Sequence, residues 1–262
     1  MNNWRVIPLT IADQQLHIEQ SEQMLATIAP DDPATLYWSM ANVESLVLGF
    51  SQKAELLNTE VVLVSGIPIY HRRAGGTAVL VGPHMLSLDV VLPANHPLVL
   101  EDVVESYRWL GEAWVETLRQ LGIQSRSVTP TEAHAQRTRM KQPATCQYEQ
   151  LLQRACYGSY SSYEVIAGQR KVVGMDMMRR RAGSLLQAGV LLHWETETLA
   201  KLLGHTSEEQ TLLREGLQER AVGIDTLAGR VITAEELITT FEGVMHNSYG
   251  LDSVHYSEAG NL

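Results

Sequence analysis

The chain has 262 residues, 45% hydrophobic and 19% charged, a composition that supplies enough apolar side chains for the core of a globular protein. Its 20 basic and 30 acidic residues leave a formal net charge of -10, which excludes general nucleic-acid binding, because neutralising phosphates needs a broad basic surface. Two cysteines, Cys146 and Cys156, are too few for a disulfide framework, and no apolar run approaches the roughly 20 residues that span a bilayer. Met1 to Thr10 carries no basic segment followed by an apolar one, so a cytoplasmic protein away from membranes, in a reduced compartment, is expected.

In chain order, Asp13 to Ile28 reads as a helix, with Leu16, Met24 and Leu25 spaced among polar residues. The short apolar runs Leu46 to Phe50, Val61 to Val64, Thr77 to Val81 and Met85 to Leu92 have the length of strands. Between Glu101 and Leu121 the residues Val103, Tyr107, Leu110, Trp114, Leu118 and Leu121 recur at steps of three or four. Gly122 is placed to end that helix. Residues 123 to 150 are polar and weakly periodic, which predicts a strand and then a long loop carrying Arg137, Arg139 and Lys141. Strand-like runs return at Tyr163 to Ile166, Lys171 to Val173 and Leu185 to Leu192. From Thr196 the pattern is helical, with a Thr233/Glu236 capping-box spacing before Leu237, Ile238, Phe241, Val244 and Met245. The order implies an α+β fold of mixed and antiparallel sheets flanked by helices, with a main domain over residues 1–195 and a small helical carboxy-terminal part over 196–262.

Two segments carry candidate chemistry. In His71-Arg72-Arg73-Ala74-Gly75-Gly76-Thr77-Ala78, adjacent glycines let backbone amides approach a ligand, and the guanidinium groups suit phosphate or carboxylate oxygens. The same residues also fit a tight hairpin turn with two solvated arginines. In the Gly/Ser-rich stretch from Cys156 to Gly174, the cysteine has Lys171 and Arg179 to Arg181 nearby in sequence, a setting that lowers a thiol pKa and favours a thioester-forming nucleophile. The other reading of Cys156 is a small buried hydrophobe. Lys171 suits the stabilisation of an oxyanion formed in acyl transfer, or else is a solvated hairpin-tip lysine. No phosphate loop, serine-hydrolase elbow or H-E-x-x-H arrangement is present, and no metal site is expected.

Arg72 to Pro93 (RRAGGTAVLVGPHMLSLDVVLP) resembles the arginine, glycine-pair and strand signature of the lipoate ligase, octanoyltransferase and lipoyl amidotransferase superfamily, whose catalytic fold biotin ligases share. Cys156 to Trp194 resembles its second signature, in which a lysine followed by a glycine precedes a strand pair, and Ser45 to Gln52 (SLVLGFSQ) its amino-terminal strand and turn. The resemblance implies that Cys156 is the nucleophile and that Lys171 contacts the acyl carbonyl. It places Gly75 and Gly76 beside the acyl group, with Arg72, Arg73, Thr77, Ala78, Gly174 and Gly189 also around the substrate. Two departures stand out: Val81-Gly82 replace a common His-Asp pair, and Ala188-Gly189 a common His-Gly, which weakens any transfer of adenylate contacts.

The activity implied is transfer of an octanoyl or lipoyl group through a Cys156 thioester to a lysine of a lipoyl carrier, with no cofactor. The carriers in view are the glycine-cleavage H protein or dehydrogenase E2 lipoyl domains, with an acyl-carrier protein as donor. The alternatives are a lipoate–protein ligase using ATP and Mg through an acyl-adenylate, and a non-catalytic homologue that binds carriers. Because the chain and the carriers that the resemblance implies are both acidic, a local basic face is expected to guide docking. Arg179 to Arg181, close to Lys171 in sequence, are its first candidates.

Overall fold

The computed structural model describes residues 4–139, 141–251 and 254–256. The chain opens with β1 (Trp4–Ala12), helix α1 (Gln14–Thr27) and β2 (Ala34–Ala41). Next come β3 (Ser45–Leu48), α2 (Thr59–Ser65), β4 (Ile69–His71) and β5 (Val79–Val81), then the long β6 (Met85–Pro93) and α3 (Arg108–Gln120). After β7 (Arg126–Ser127) lie α4 (Pro130–Arg139), α5 (Cys146–Leu152), β8 (Val165–Ala167), β9 (Arg170–Arg179) and β10 (Gly183–Leu191). Helices α6 (Glu197–Leu203), α7 (Ser207–Arg220), α8 (Ile224–Ala228) and α9 (Ala234–Tyr249) precede β11 (Val254–Tyr256).

Eight strands form one mixed sheet in the order β11-β1-β2-β6-β10-β9-β8-β7, and three form a small sheet in the order β4-β3-β5. Helices flank both, so the architecture is the α+β arrangement expected. Side chains alternate across a strand, and the large sheet uses that alternation to serve two layers. On one face Leu36, Trp38, Leu86, Leu88, Leu186 and Val190 pack with α3 and α9 in the largest apolar cluster. The core runs across residue 195 without a break: Phe241 of α9 sits in this cluster, edge-on to Trp38 at 5.4 Å between ring centroids. On the other face, Tyr37, Val91 and Leu185 pack with Met24 and Leu25 of α1 at one end, while Ala41, Met85 and Leu191 pack with the small sheet and α5 to α7 at the other. The gap between these two clusters holds the candidate site. Among the described residues no helix is long and apolar enough to cross a membrane.

Several local expectations are corrected. Val61 to Val64 lies in α2 rather than a strand: the Asn58 side chain caps the Val61 N–H and Gly66, at φ 66°, ends the helix, and such caps decide what a short apolar run leaves open. After Ile123, β7 supplies the strand expected, and α4 and α5 stand where the long loop was expected. Helix α4 starts at a capping box in which the Glu132 N–H donates to Thr129 Oγ1 and the Glu132 carboxylate accepts the Thr129 N–H, with Pro130 at the first turn. Lys171 to Val173 is only the start of β9, which continues to Arg179. Strands β1 and β2 are additions. Pro8 and the register shift between Ile7 and Thr10 break the pattern of β1, and β2 is buried on both faces, so it shows no alternation.

Candidate active site

Strand register builds the floor. Ser39, Ser87, Gly189 and Gly174 lie side by side across β2, β6, β10 and β9. One step along the strands, on the same face, Tyr37, Asp89, Gln187 and Asp176 form the next row. Small side chains leave a trench over β2 and β6, and the Gly189–Gly174 end of the row receives the Tyr157 side chain. Its polar edge is tied together: Ser21 Oγ and Gln187 Nε2 donate to the two oxygens of Asp89. Val47, Val79 and Val81 from the small sheet, Arg72 just after β4, and Gln14, His17 and Ile18 from α1 roof the trench into a cleft of about 680 Å³ including its open mouth.

Cys156 and Tyr157 enter this cleft on a single turn of helix, Cys156–Gly158. The turn is stitched to the glycine-pair segment, since Ala78 N–H donates to Arg154 O (3.2 Å) and Cys156 N–H donates to Ala78 O (2.7 Å). Two signatures far apart in sequence therefore meet through backbone bonds. The Tyr157 hydroxyl donates to Gly189 O at 2.6 Å. A Cβ on Gly174 would lie 3.3 Å from that hydroxyl, and one on Gly189 3.2 Å from it and from the Met85 sulfur, so these paired glycines seat the tyrosine. Gly189→Val is expected to slow acylation of Cys156 by an octanoyl donor by on the order of tenfold or more, while sparing acetyl transfer. Acylation rates across a chain-length series check this.

Lys171 is no hairpin-tip residue: it is 1% exposed. Its ammonium donates to Cys156 O (2.7 Å) and pairs with Glu164 Oε2 at 2.8 Å. Glu164 is also 1% exposed and accepts the N–H groups of Ser161 and Met175. A buried charge pair of this kind persists only when its remaining lone pairs are satisfied, as they are here. Tyr163, at φ 67°, turns the chain just before Glu164. Its carbonyl is held so close to α3 that a Cβ on Gly111 would sit 2.3 Å away.

The electrostatics differ from the expectation of an activated thiolate. Burial pushes the Cys156 thiol up, and Lys171 and Arg72 only partly oppose it. Arg179 to Arg181 give no help at the sulfur. Arg179 is three residues beyond Asp176 and so faces the other side of the sheet, donating to Glu101 O and Ser106 Oγ, and Arg180 and Arg181 are exposed. Burial also raises Asp89, to about 6, and Asp176.

Of the glycine-pair residues, Arg72 closes its own turn, donating to Gly75 O and Thr77 O and pairing with Asp176 Oδ2 at 3.1 Å. Arg73 pairs with Glu22 at 2.9 Å. Gly76, at φ 86°, packs its carbonyl against Gly49, where a Cβ would lie 2.1 Å away. Cys156, Arg72, Gly174 and Gly189 line the cleft. Gly75, Gly76, Thr77, Ala78 and Lys171 support its rim or back, and Arg73 points to α1. Sequence reasoning passed over Tyr157, Glu164, Asp89, Asp176 and Gln187. For Asp89, Asp176 and Gln187 the signal was a polar residue inside an otherwise apolar strand, at a spacing of two from Ser87, Gly174 and Gly189; Tyr157 and Glu164 lie outside the strands and gave none.

The family model described as the lipoyl protein ligase A/B catalytic domain matches residues 13–245. The chain belongs to this family. Within the family, it is similar to an octanoyltransferase, LipM, of Kyrpidia tusciae, 29% identical over 240 residues that cover 90% of this chain and 84% of the relative. Its fold is similar to that of a bi-partite lipoate protein ligase of Thermoplasma acidophilum, solved in a study of that ligase and its E2 lipoyl domain. The TM-score is 0.72 at 18% identity, over 98% of this chain and 86% of that one. A lipoate-protein ligase A bound with ATP gives a TM-score of 0.71 at 18% identity, over 98% of this chain and 88% of that one.

Proposed function

We propose that the protein takes an octanoyl or lipoyl group from a carrier onto Cys156 as a thioester and passes it to a lysine of a lipoyl-carrier protein. One observation carries this reading: the cysteine opens into a cleft floored by Ser39 and Ser87 and walled by Val47, Val79, Val81 and Met85, an apolar slot beside the thiol that suits an acyl chain. The similarity to octanoyltransferases supports it. Lys171 fixes the Cys156 turn, and the ammonium proton left after its two observed contacts serves the carbonyl oxygen that gains charge. Lipoyl domains such as those of dehydrogenase E2 subunits or the H protein are the acceptors, with an acyl-carrier protein as donor.

The arrangement favours this route over an ATP-dependent ligase. An acyl-adenylate needs cations at its phosphate; Arg73 points away from the cleft toward Glu22, and Arg72, which lines it, is already held by its own turn and by Asp176. No ATP or Mg is then consumed. The test is modification of a lipoyl domain from octanoyl-acyl-carrier protein with and without ATP, with mass spectrometry of the enzyme. ATP-independent transfer and an octanoyl thioester at Cys156 are expected, and strict ATP dependence with an acyl-adenylate would overturn the reading.

A further inference from the structure

We propose that Asp176 is the proton acceptor for the carrier lysine as it attacks the acyl thioester, a role that rests on the acyl-transfer reading above. A lysine ammonium, with an ordinary pKa of about 10.4, has no lone pair to attack with near neutral pH, and its nitrogen must lose a second proton before the amide forms. The cleft must offer a base.

The ionisable groups that line the cleft narrow the choice. Both nitrogens of His17 are engaged, Nδ1 with the Tyr37 hydroxyl at 2.6 Å and Nε2 with Met40 O at 3.1 Å. Both oxygens of Asp89 accept bonds, from Ser21 and Gln187. The Tyr157 hydroxyl is already a donor to Gly189 O, and burial holds it far too weak an acid to exist as a phenolate. Arg72 is always charged. Behind the turn, Lys171 and Glu164 neutralise each other, and the Glu164 carboxylate is held by the Ser161 and Met175 N–H groups.

Asp176 is different. Its Oδ2 pairs with Arg72, while its Oδ1 is buried and accepts no hydrogen bond. An unpaired buried carboxylate oxygen is costly unless something docks on it during the working cycle. Asp176 lies two residues along β9 from Gly174, in the cleft that Cys156 enters. Burial and the neighbouring Glu164 raise its affinity for a proton, and Arg72 opposes them without prevailing. Asp89, in the same row, and Cys156 are the other titratable groups on its side of the sheet, and Tyr107, packed in the α3–α9 core, interacts with it from the other side. A carboxylate raised in this way is a better base than one in water and is still ionised above its own pKa.

The step balances without a co-reactant. The carrier ammonium first releases one proton to solvent; the amine nitrogen then forms a bond to the thioester carbonyl carbon, and Asp176 Oδ1 takes the second proton that nitrogen sheds. Collapse breaks the carbon–sulfur bond, Cys156 leaves as thiolate, and the proton passes from Asp176 to sulfur. The products are the carrier amide and the free thiol.

The experiment separates this role from acyl loading. Parent and Asp176→Asn enzymes are loaded to completion on Cys156 with p-nitrophenyl octanoate, then discharged in single turnover with a lipoyl domain or with hydroxylamine, whose weakly basic nitrogen attacks without help. Asp176→Asn is expected to slow discharge to the lipoyl domain by on the order of a hundredfold and to leave hydroxylamine discharge at the parent rate. In the parent, the pH profile of discharge to the lipoyl domain should bend where the Asp176 carboxyl ionises, above the usual carboxylate range. Parent-rate discharge to the lipoyl domain in the variant, equal slowing of both nucleophiles, or a parent profile with no bend would overturn the proposal. Failure of the parent itself to form a Cys156 thioester would instead sink the acyl-transfer reading.

Discussion

Cys156→Ser is expected to abolish acyl transfer while leaving the fold intact. The fold should survive because the bonds that seat the turn are main-chain bonds: Cys156 N–H to Ala78 O, and Lys171 Nζ to Cys156 O. Activity should not survive, because a serine hydroxyl is a far weaker acid than a thiol and gives almost no anion in a buried site. The parent thiol is itself pushed up by burial, so its thiolate fraction grows as pH rises through a value above that of an ordinary cysteine. Loading of Cys156 should therefore keep accelerating with pH beyond the point where a free thiol levels off. Loading monitored by intact mass against pH, for parent and variant, checks both statements. Transfer by the serine variant at the parent rate would remove the thioester from the mechanism.

Lys171→Met should cost both stability and turnover, for separable reasons. Removing one member of a buried ion pair leaves Glu164 charged and unpaired in the interior, which costs about 3–5 kcal/mol. Turnover should fall by on the order of a hundredfold or more, from the lost electrostatic contact at the reacting carbonyl. The double variant Lys171→Met/Glu164→Gln distinguishes the two, since it removes the orphaned charge without restoring the ammonium. It should recover much of the lost denaturation midpoint and none of the activity. If the double variant regained transfer, Lys171 would be a structural residue alone.

Much of the site was legible because its residues are chemically unusual where they stand: a glycine pair after two arginines, and a cysteine followed at a distance by a lysine and a glycine. Their meeting was not legible from composition, since it depends on the backbone bonds between Ala78 and the Arg154–Cys156 segment. Proximity in sequence misled in one place. Arg179 follows Lys171 closely, yet it stands three residues beyond Asp176, an odd step that turns the guanidinium to the face opposite the cleft. The strand face also hid Asp89 and Asp176, which look like interruptions in apolar runs until register sets them in one row. Among elements, α3 was clear from its apolar stripe, whereas β2 was invisible because a strand covered on both sides has no period to detect. Helix α4 was announced by Thr129, Pro130 and Glu132, local signals that weak apolar periodicity concealed.

The trench lies between two apolar clusters on one face of the large sheet, so an acyl chain seated in it would behave as a removable piece of hydrophobic core. Every turnover would then complete that core and dismantle it again. The segments that roof the trench, α1 and the small sheet, must be the ones whose packing is renewed, while the α3–α9 face stays closed throughout. Amide protons on β3 and β5 should accordingly exchange from local openings of low free energy, and those of β6 and β10 on the α3–α9 side only with global unfolding, a gradient of local stability set by where the chain left its interior unfilled.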